Sequence, residues 1–172
     1  NLLNTYDYLL NKFIIIHLDE KFTDIKDIES KFETSITNLQ NNINKKIILT
    51  TFNNNLDYYN NLNIKKINFK DLQNQDLINS KVLIIENIPM MHFHNLMKNS
   101  YANISCHSGL FVHSSLALSK ITIDIMNKSQ ETWLNTWIDY KKDYIKIYKS
   151  TNNKIYNIDD ILASIYEQFK RI

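Results

Sequence analysis

The sequence predicts an α/β domain in which a parallel sheet is covered by helices on both faces. Three observations carry this. Short apolar runs recur, among them Phe13-Ile14-Ile15-Ile16-His17, Lys46-Ile47-Ile48-Leu49-Thr50-Thr51 and Val82-Leu83-Ile84-Ile85-Glu86. They do not alternate polar with apolar, which marks strands buried on both faces. Between them lie segments whose apolar residues fall three and four apart, the spacing of amphipathic helices. Strand and helix alternate without a repeat or an inserted linker, so the fold class is α/β, a Rossmann-like parallel sheet with crossover helices.

The elements follow in order. Residues 2–11 have helical spacing at Leu2, Leu3, Tyr6, Leu9 and Leu10. Residues 13–17 are the first strand, and 18–24 are polar and loop-like. From 25 to 43, Ile25, Ile28, Phe32, Ile36, Leu39 and Ile43 line one face of a long helix. Asp24, Asp27 and Glu29 at its start favour the helix dipole. Residues 46–51 are the second strand, 56–62 a short helix and 66–69 a weak third strand. The fourth strand, 82–86, runs towards Pro89, which suits the start of a helix over 90–99. The fifth strand is 102–106, followed by a helix over 109–119 and a sixth strand over 121–125.

Residues 130–140 read as helix, with Trp133 and Trp137 on one face as core or interdomain contacts. Residues 144–148 fit a strand or a loop. Residues 158–169 close the domain as an amphipathic helix with Asp159 and Asp160 in its first turn. The domain proper spans 13–172, and 1–12 reads as a linker or a preceding helix. The expected strand order is 3-2-1-4-5-6, with 13–17 near the centre.

Composition narrows the function. The 172 residues suffice for one domain with a real core. Hydrophobic content is 44% and charged content 22%, as in ordinary globular proteins. The chain is rich in Asn, Ile and Lys, with one Gly, one Pro and one Arg, Arg171. That bias matches an AT-rich genome, so stretches such as Asn53-Asn54-Asn55 need no functional reading. The net charge of +2 is interspersed, unlike the clustered cations of a nucleic-acid surface. A single cysteine excludes an internal disulfide and a multi-cysteine zinc site, and fits a reducing cytoplasm. No signal peptide or long apolar run is present. The first residue is not Met and the chain opens in mid-pattern, which leads us to expect a piece of a longer protein.

In open sheets of this kind, ligands bind beyond the carboxyl ends of the strands where strand order reverses. The candidate residues are therefore His17, Asp19, Thr51, Glu86, Asn87 and the turn Cys106-His107-Ser108-Gly109. Gly109 is the only glycine, placed where a strand meets a helix. Two readings stay open there. Glycine eases a tight turn through positive φ, or it lets a phosphate approach the free N–H groups of the helix. In the second reading Ser108, the N–H groups around Gly109 and Leu110, and His107 donate to a diphosphate. Lys21 follows the first strand and is either a solvated lysine or a phosphate ligand. Cys106 reads as a buried inert thiol, because it and His107 would point to opposite sides of a strand. His92, His94, His107 and His113 do not form a sensible metal set, since His92 and His94 fall on different helix faces.

These residues also carry a resemblance. Phe13-Ile14-Ile15-Ile16-His17, the loop with Lys21-Phe22, the long helix and Lys46-Ile47-Ile48-Leu49-Thr50 resemble the start of the C-terminal domain of heptosyltransferase-like glycosyltransferases, glycosyltransferase family 9, of GT-B fold. Residues 102–118, with Ser108-Gly109 before a small-residue helix, look like that family's strand, Asp-Ser-Gly turn and helix. The resemblance spans 13–125. It departs at His107, which stands where the family has an acid, at His113, one residue beyond the family His, and at Phe22, which replaces a Trp. It implies a donor-binding domain that holds a nucleotide diphosphate sugar through Lys21, Ser108 and Gly109, with no metal or other cofactor. It further implies transfer of the sugar to a glycan or lipopolysaccharide acceptor, with peripheral membrane contact only through that acceptor. The catalytic base would lie in an N-terminal domain upstream. The alternative is a non-catalytic nucleotide- or phosphate-binding module of the same fold.

Overall fold

The apolar runs become the strands of one eight-stranded sheet in a computed structural model that describes residues 2–52, 55–131 and 143–172. The strands are β1 (Phe13–Leu18), β2 (Lys46–Thr51), β3 (Lys66–Asn68), β4 (Val82–Glu86), β5 (Ala102–Ser105), β6 (Ile121–Asn127), β7 (Tyr144–Thr151) and β8 (Lys154–Ile155). The described helices are α1 (Leu2–Tyr8), α2 (Ile28–Ile43), α3 (Asp57–Asn60), α4 (Asn74–Asn79), α5 (Met90–Asn99), α6 (Gly109–Ala117) and α7 (Ile158–Phe169). Every described pairing is parallel except β7 with β8.

The sheet order is β3-β4-β2-β1-β5-β6-β7-β8, not 3-2-1-4-5-6. β4 has moved between β2 and β3. Burial explains the change: Leu83, Ile84 and Ile85 are completely covered, whereas all three residues of β3 are only half-buried. An interior slot suits the longer apolar strand, and short, polar Lys66-Ile67-Asn68 suits the edge. Helix α4, which the sequence reading passed over, joins β3 to β4. Residues 144–148 fall in β7, and the hairpin partner β8 was not anticipated. The expected helix over 130–140, with Trp133 and Trp137, lies outside the described residues beyond Glu131.

Successive residues of the central strands feed opposite cores. Ile14, Ile16, Ile47, Leu49 and Ile104 pack with α2, α3 and α7. Phe13, Ile15, Ile48, Leu83 and Ile85 pack with α1, α4 and α5. All six residues of β1 are buried, as a strand covered on both faces requires. Asp27 and Asn44 flank α2 in the left-handed region, and Glu29 lies in its first turn. Asp24 is not a helix-start residue; its carboxylate pairs with Lys149. Asp159 and Asp160 occupy the first turn of α7, where Asp159 pairs with Lys31 at 3.3 Å and accepts from Ser35.

This layering ranks two substitutions. Ile16→Ala in β1 should lower the unfolding free energy by about 2–5 kcal/mol. Ile155→Ala at the β8 edge, where the side chain is 63% exposed, should change it by less than about 0.5 kcal/mol. Urea midpoints decide; equal midpoints would remove β1 from the centre.

Candidate functional site

Strand order reverses between β1 and β5. The chain leaves β1 for β2 and β4 on one side, and β5 for β6 and β7 on the other. His17 and Ser105 are register partners, so the loops after the two strands emerge side by side. Ligand crevices of open α/β sheets form at this point.

The β1 loop is held from several directions. Asp19 begins a 3-10 turn and accepts the Lys21 N–H at 3.0 Å. Phe22 is completely buried beneath the turn. The Tyr58 hydroxyl donates to the Asp19 carbonyl at 3.0 Å. Lys149 of β7, only 4% exposed, donates to the Lys21 carbonyl at 2.6 Å and pairs with Asp24 at 3.2 Å. The Lys21 ammonium then donates to the His107 carbonyl at 2.9 Å. Lys21 therefore reaches the second turn, and what it touches there is backbone.

In the second turn His107, not Gly109, takes the left-handed conformation, with φ 43. Gly109 has an ordinary φ as the first residue of α6, and a Cβ added to it would meet nothing within 4 Å. Local backbone geometry does not require glycine here. Ser108 precedes the helix without spending its hydroxyl on a cap bond. The first-turn N–H groups of Gly109, Leu110 and Phe111 have no carbonyl to reach within the helix, so this end attracts anions. The His107 ring meets buried Asp124 of β6, Nδ1 to Oδ2, at 3.1 Å. The Tyr144 hydroxyl donates to the same carboxylate oxygen at 2.8 Å.

Beside this turn a cleft of about 330 Å³ opens between α5 and α6. His17 lies in it with Phe52, Phe93, Leu110 and Phe111, and Ser108 and Ser114 add hydroxyls. The His17 ring stacks on Phe111 with centroids 5.4 Å apart, and its Nδ1 lies 3.1 Å from the Thr50 hydroxyl. Burial pushes the imidazole down to about 4, against the Thr50 contact and the Glu20 charge. Burial likewise pushes the Asp19 carboxyl up to about 6, opposed by Lys21 and Lys149. A larger groove, about 570 Å³, lies between α2 and α7, away from the strand ends, and its Lys31, Ser35 and Asp159 already bond one another.

The remaining candidates are spread. Thr51 is buried at the end of β2, and its carbonyl accepts the Asn87 N–H at 3.2 Å. Glu86 accepts from the Tyr59 hydroxyl. None of these three lines the cleft, and exposed His113 does not line it either. Cys106 is completely buried, which pushes its thiol far above its ordinary range. The sequence reading missed Asp124, Tyr144, Lys149, Phe52, Met90, Phe93 and His94. Only Asp124 left a clear signal, a charge inside the apolar run Ile121-Thr122-Ile123-Asp124-Ile125.

No protein-family model matches the chain, and no curated protein does. Solved structures do. E. coli heptosyltransferase WaaC with ADP superposes with a TM-score of 0.62 at 10% identity, over 94% of this chain and 44% of that one. The same enzyme with ADP-2-deoxy-2-fluoro heptose gives 0.53 at 12% identity, over 95% and 44%. Methanocaldococcus jannaschii UDP-GlcNAc 2-epimerase in complex with UDP-GlcNAc and UDP gives 0.53 at 15% identity, over 100% and 49%. The chain thus spans less than half the length of each. The likeness is one of fold, and that fold is the Rossmann-like domain of GT-B proteins.

The two shifted groups predict opposing acid responses. His17 titrates near 6.5 when unfolded and near 4 when folded, so its stabilisation is complete above about pH 6.5 and is lost as pH falls towards 4. The full loss is about 3 kcal/mol. Asp19 has the reverse sign: its burial costs stability as pH rises from 3.8 towards 6. Asp19→Asn should therefore steepen the acid loss between about pH 6 and 4, and His17→Phe should abolish it. Chemical denaturation at stepped pH reads both, and unchanged slopes would refute the assignment.

Proposed function

We propose that this domain binds the diphosphate of a nucleotide sugar at the α6 N-terminus, as the donor half of a GT-B glycosyltransferase. One observation carries the reading. The chain's only glycine stands at a position with ordinary φ and open space beyond its Cα. The protein's own backbone leaves glycine unexplained there, whereas close approach of a ligand explains it. The structural neighbours support the choice of ligand, because they were solved with ADP, UDP or nucleotide sugars.

In this reading the N–H groups of Gly109 and Leu110 and the Ser108 hydroxyl surround the diphosphate. The helix dipole and Lys21 meet its charge, with no metal ion required. An ammonium has three donors, so the bond from Lys21 to the His107 carbonyl leaves hydrogens for phosphate. The adjoining apolar cleft takes a flat or apolar part of the same ligand. Chemistry follows from holding the leaving diphosphate in a preorganised field while an acceptor hydroxyl on a glycan or lipopolysaccharide attacks the sugar. The base that takes the hydroxyl proton comes from an upstream domain.

Thermal denaturation with ADP, UDP and GDP tests this. A ligand at about 100 times its Kd should stabilise the protein by about 2.7 kcal/mol. Gly109→Val should leave the unliganded stability within about 1 kcal/mol of the parent, since the added Cβ meets nothing within 4 Å. The same variant should lose the ligand shift. Lys21→Ala should weaken binding by about 1.5–3 kcal/mol. The reading fails if the parent responds to none of the three, or if Gly109→Val responds as the parent does.

A further inference from the structure

We propose that the amino edge of the sheet, opposite the candidate site, is a surface that binds anionic lipid directly. The inference stands apart from the diphosphate reading, because it concerns the other end of the strands.

Lysines that are scattered along the sequence meet at this edge. Lys12 precedes β1, Lys45 and Lys46 lie where β2 begins, Lys81 precedes β4, Lys98 lies in the last turn of α5, and Lys120 precedes β6. Register makes them neighbours. The Lys46 N–H donates to the Lys12 carbonyl at 3.1 Å, and the Ile47 N–H donates to the Lys81 carbonyl at 2.9 Å. Asn11 ties in the others. Its N–H donates to the Asn99 carbonyl, next to Lys98, at 2.8 Å. Its carbonyl accepts the Lys45 ammonium at 3.1 Å, and its Oδ1 accepts the Lys120 ammonium at 3.2 Å.

This charge is not compensated locally. Among the described residues, none of the six ammonium groups pairs with a carboxylate. Three of them bond amide oxygens instead, since Lys46 donates to the carbonyls of Ile78 and Ser80. Asp76 and Glu167 near this edge are already paired with Lys65 and Lys170. Asp7 and Asp143 are the other carboxylates beside it, fewer than the lysines.

Apolar side chains protrude between the cations. Tyr8 is 63% exposed and Leu10 51%, both in the stretch that enters β1, and Ile78 beside Lys46 is 42% exposed. The Lys12 ammonium lies 4.2 Å from the centre of the Tyr8 ring. Each part suits a lipid headgroup layer. Lysines near an anionic surface are attracted to it, and a cluster of four to eight is the usual signature. Aliphatic side chains gain by entering the interface, and tyrosine rings settle at headgroup depth. A nucleic acid would use the same cations but offers no apolar layer to Leu10 and Ile78. No described helix is long and apolar enough to cross a membrane, so the contact is peripheral. The six residues of β1 separate this edge from the candidate site by about 20 Å.

Vesicle co-sedimentation tests the proposal. The chain should sediment with vesicles of equal parts phosphatidylcholine and phosphatidylserine, and not with phosphatidylcholine alone. Raising salt from about 0.1 M to about 0.5 M should weaken the binding. Reversing Lys12, Lys81 and Lys98 together to Glu should weaken it by about a hundredfold. Reversing Lys26, Lys70 and Lys154, exposed lysines away from this edge, changes the net charge equally and should weaken it by less than about threefold. Leu10→Ser with Ile78→Ser should remove the binding that survives high salt. Absence of sedimentation, or equal losses in the two triple variants, overturns the proposal. A duplex oligonucleotide that displaces the vesicles and binds the Leu10→Ser, Ile78→Ser variant as tightly as the parent overturns it in favour of nucleic acid.

Discussion

The pairing of β1 with β5 is the constraint from which the site follows. β1 is covered on both faces, so its chain can leave only at the sheet edge. Its crossover to β2 runs through α2 on one face, and the crossover from β5 to β6 runs through α6 on the other. Right-handed crossovers that depart in opposite directions must diverge in this way. The register that sets His17 opposite Ser105 then brings two diverging loops to the lip of one crevice. The position of the cleft is a property of topology before any side chain is considered.

Side chains make that lip rigid, and the cations involved are lysines. With Arg171 as the only arginine, lysine ammonium groups bridge loops that a guanidinium fork would bridge elsewhere. Lys149 donates to the carbonyl of Lys21, and Lys21 donates to the carbonyl of His107. This relay runs from β7 across the β1 loop to the β5 turn, and it spends charge on backbone acceptors in a partly buried setting where such bonds are strong. The carboxylates of Asp19, Asp24 and Asp124 lie around the relay and offset its charge. A turn held this way is already arranged when a ligand arrives, which is the condition for electrostatic stabilisation without reorganisation.

Apolar runs made the central strands legible, because a strand buried on both faces has no other way to be written. Strand order was not legible, since chain order says nothing about which strand takes an edge; the half-buried Lys66-Ile67-Asn68 and fully covered Leu83-Ile84-Ile85 decide that only through packing. Helix α4 escaped notice because Leu77 is its only buried residue. At the site, the two loops could be named from the strand ends alone. Lys149 could not, because a lysine among Lys146, Tyr148 and Ser150 on an outer strand looks solvated until the β1 loop is folded over it. The aromatic and methionine part of the cleft wall was equally hidden, since Phe52 and Met90 are exposed and belong to no apolar stripe.

Glycine shows how composition and geometry must be read together. The left-handed positions among the described residues are Asn11, Asp27, Asn44, Asn87, His107 and Ser119, and none is a glycine. Asn, Asp and His tolerate that region better than other residues, so turns can be made without glycine. A chain that turns in this way shows no general need for the residue. Its one glycine lies at ordinary φ, at the first position of a helix, where alanine would be the better helix former. Neither backbone strain nor a crowded neighbour accounts for that choice. Close approach of a ligand to the backbone is a further physical reason for a missing side chain. In the function proposed above, that ligand is an anion at the N-terminus of α6, beside Ser108 and the turn that Lys21 holds.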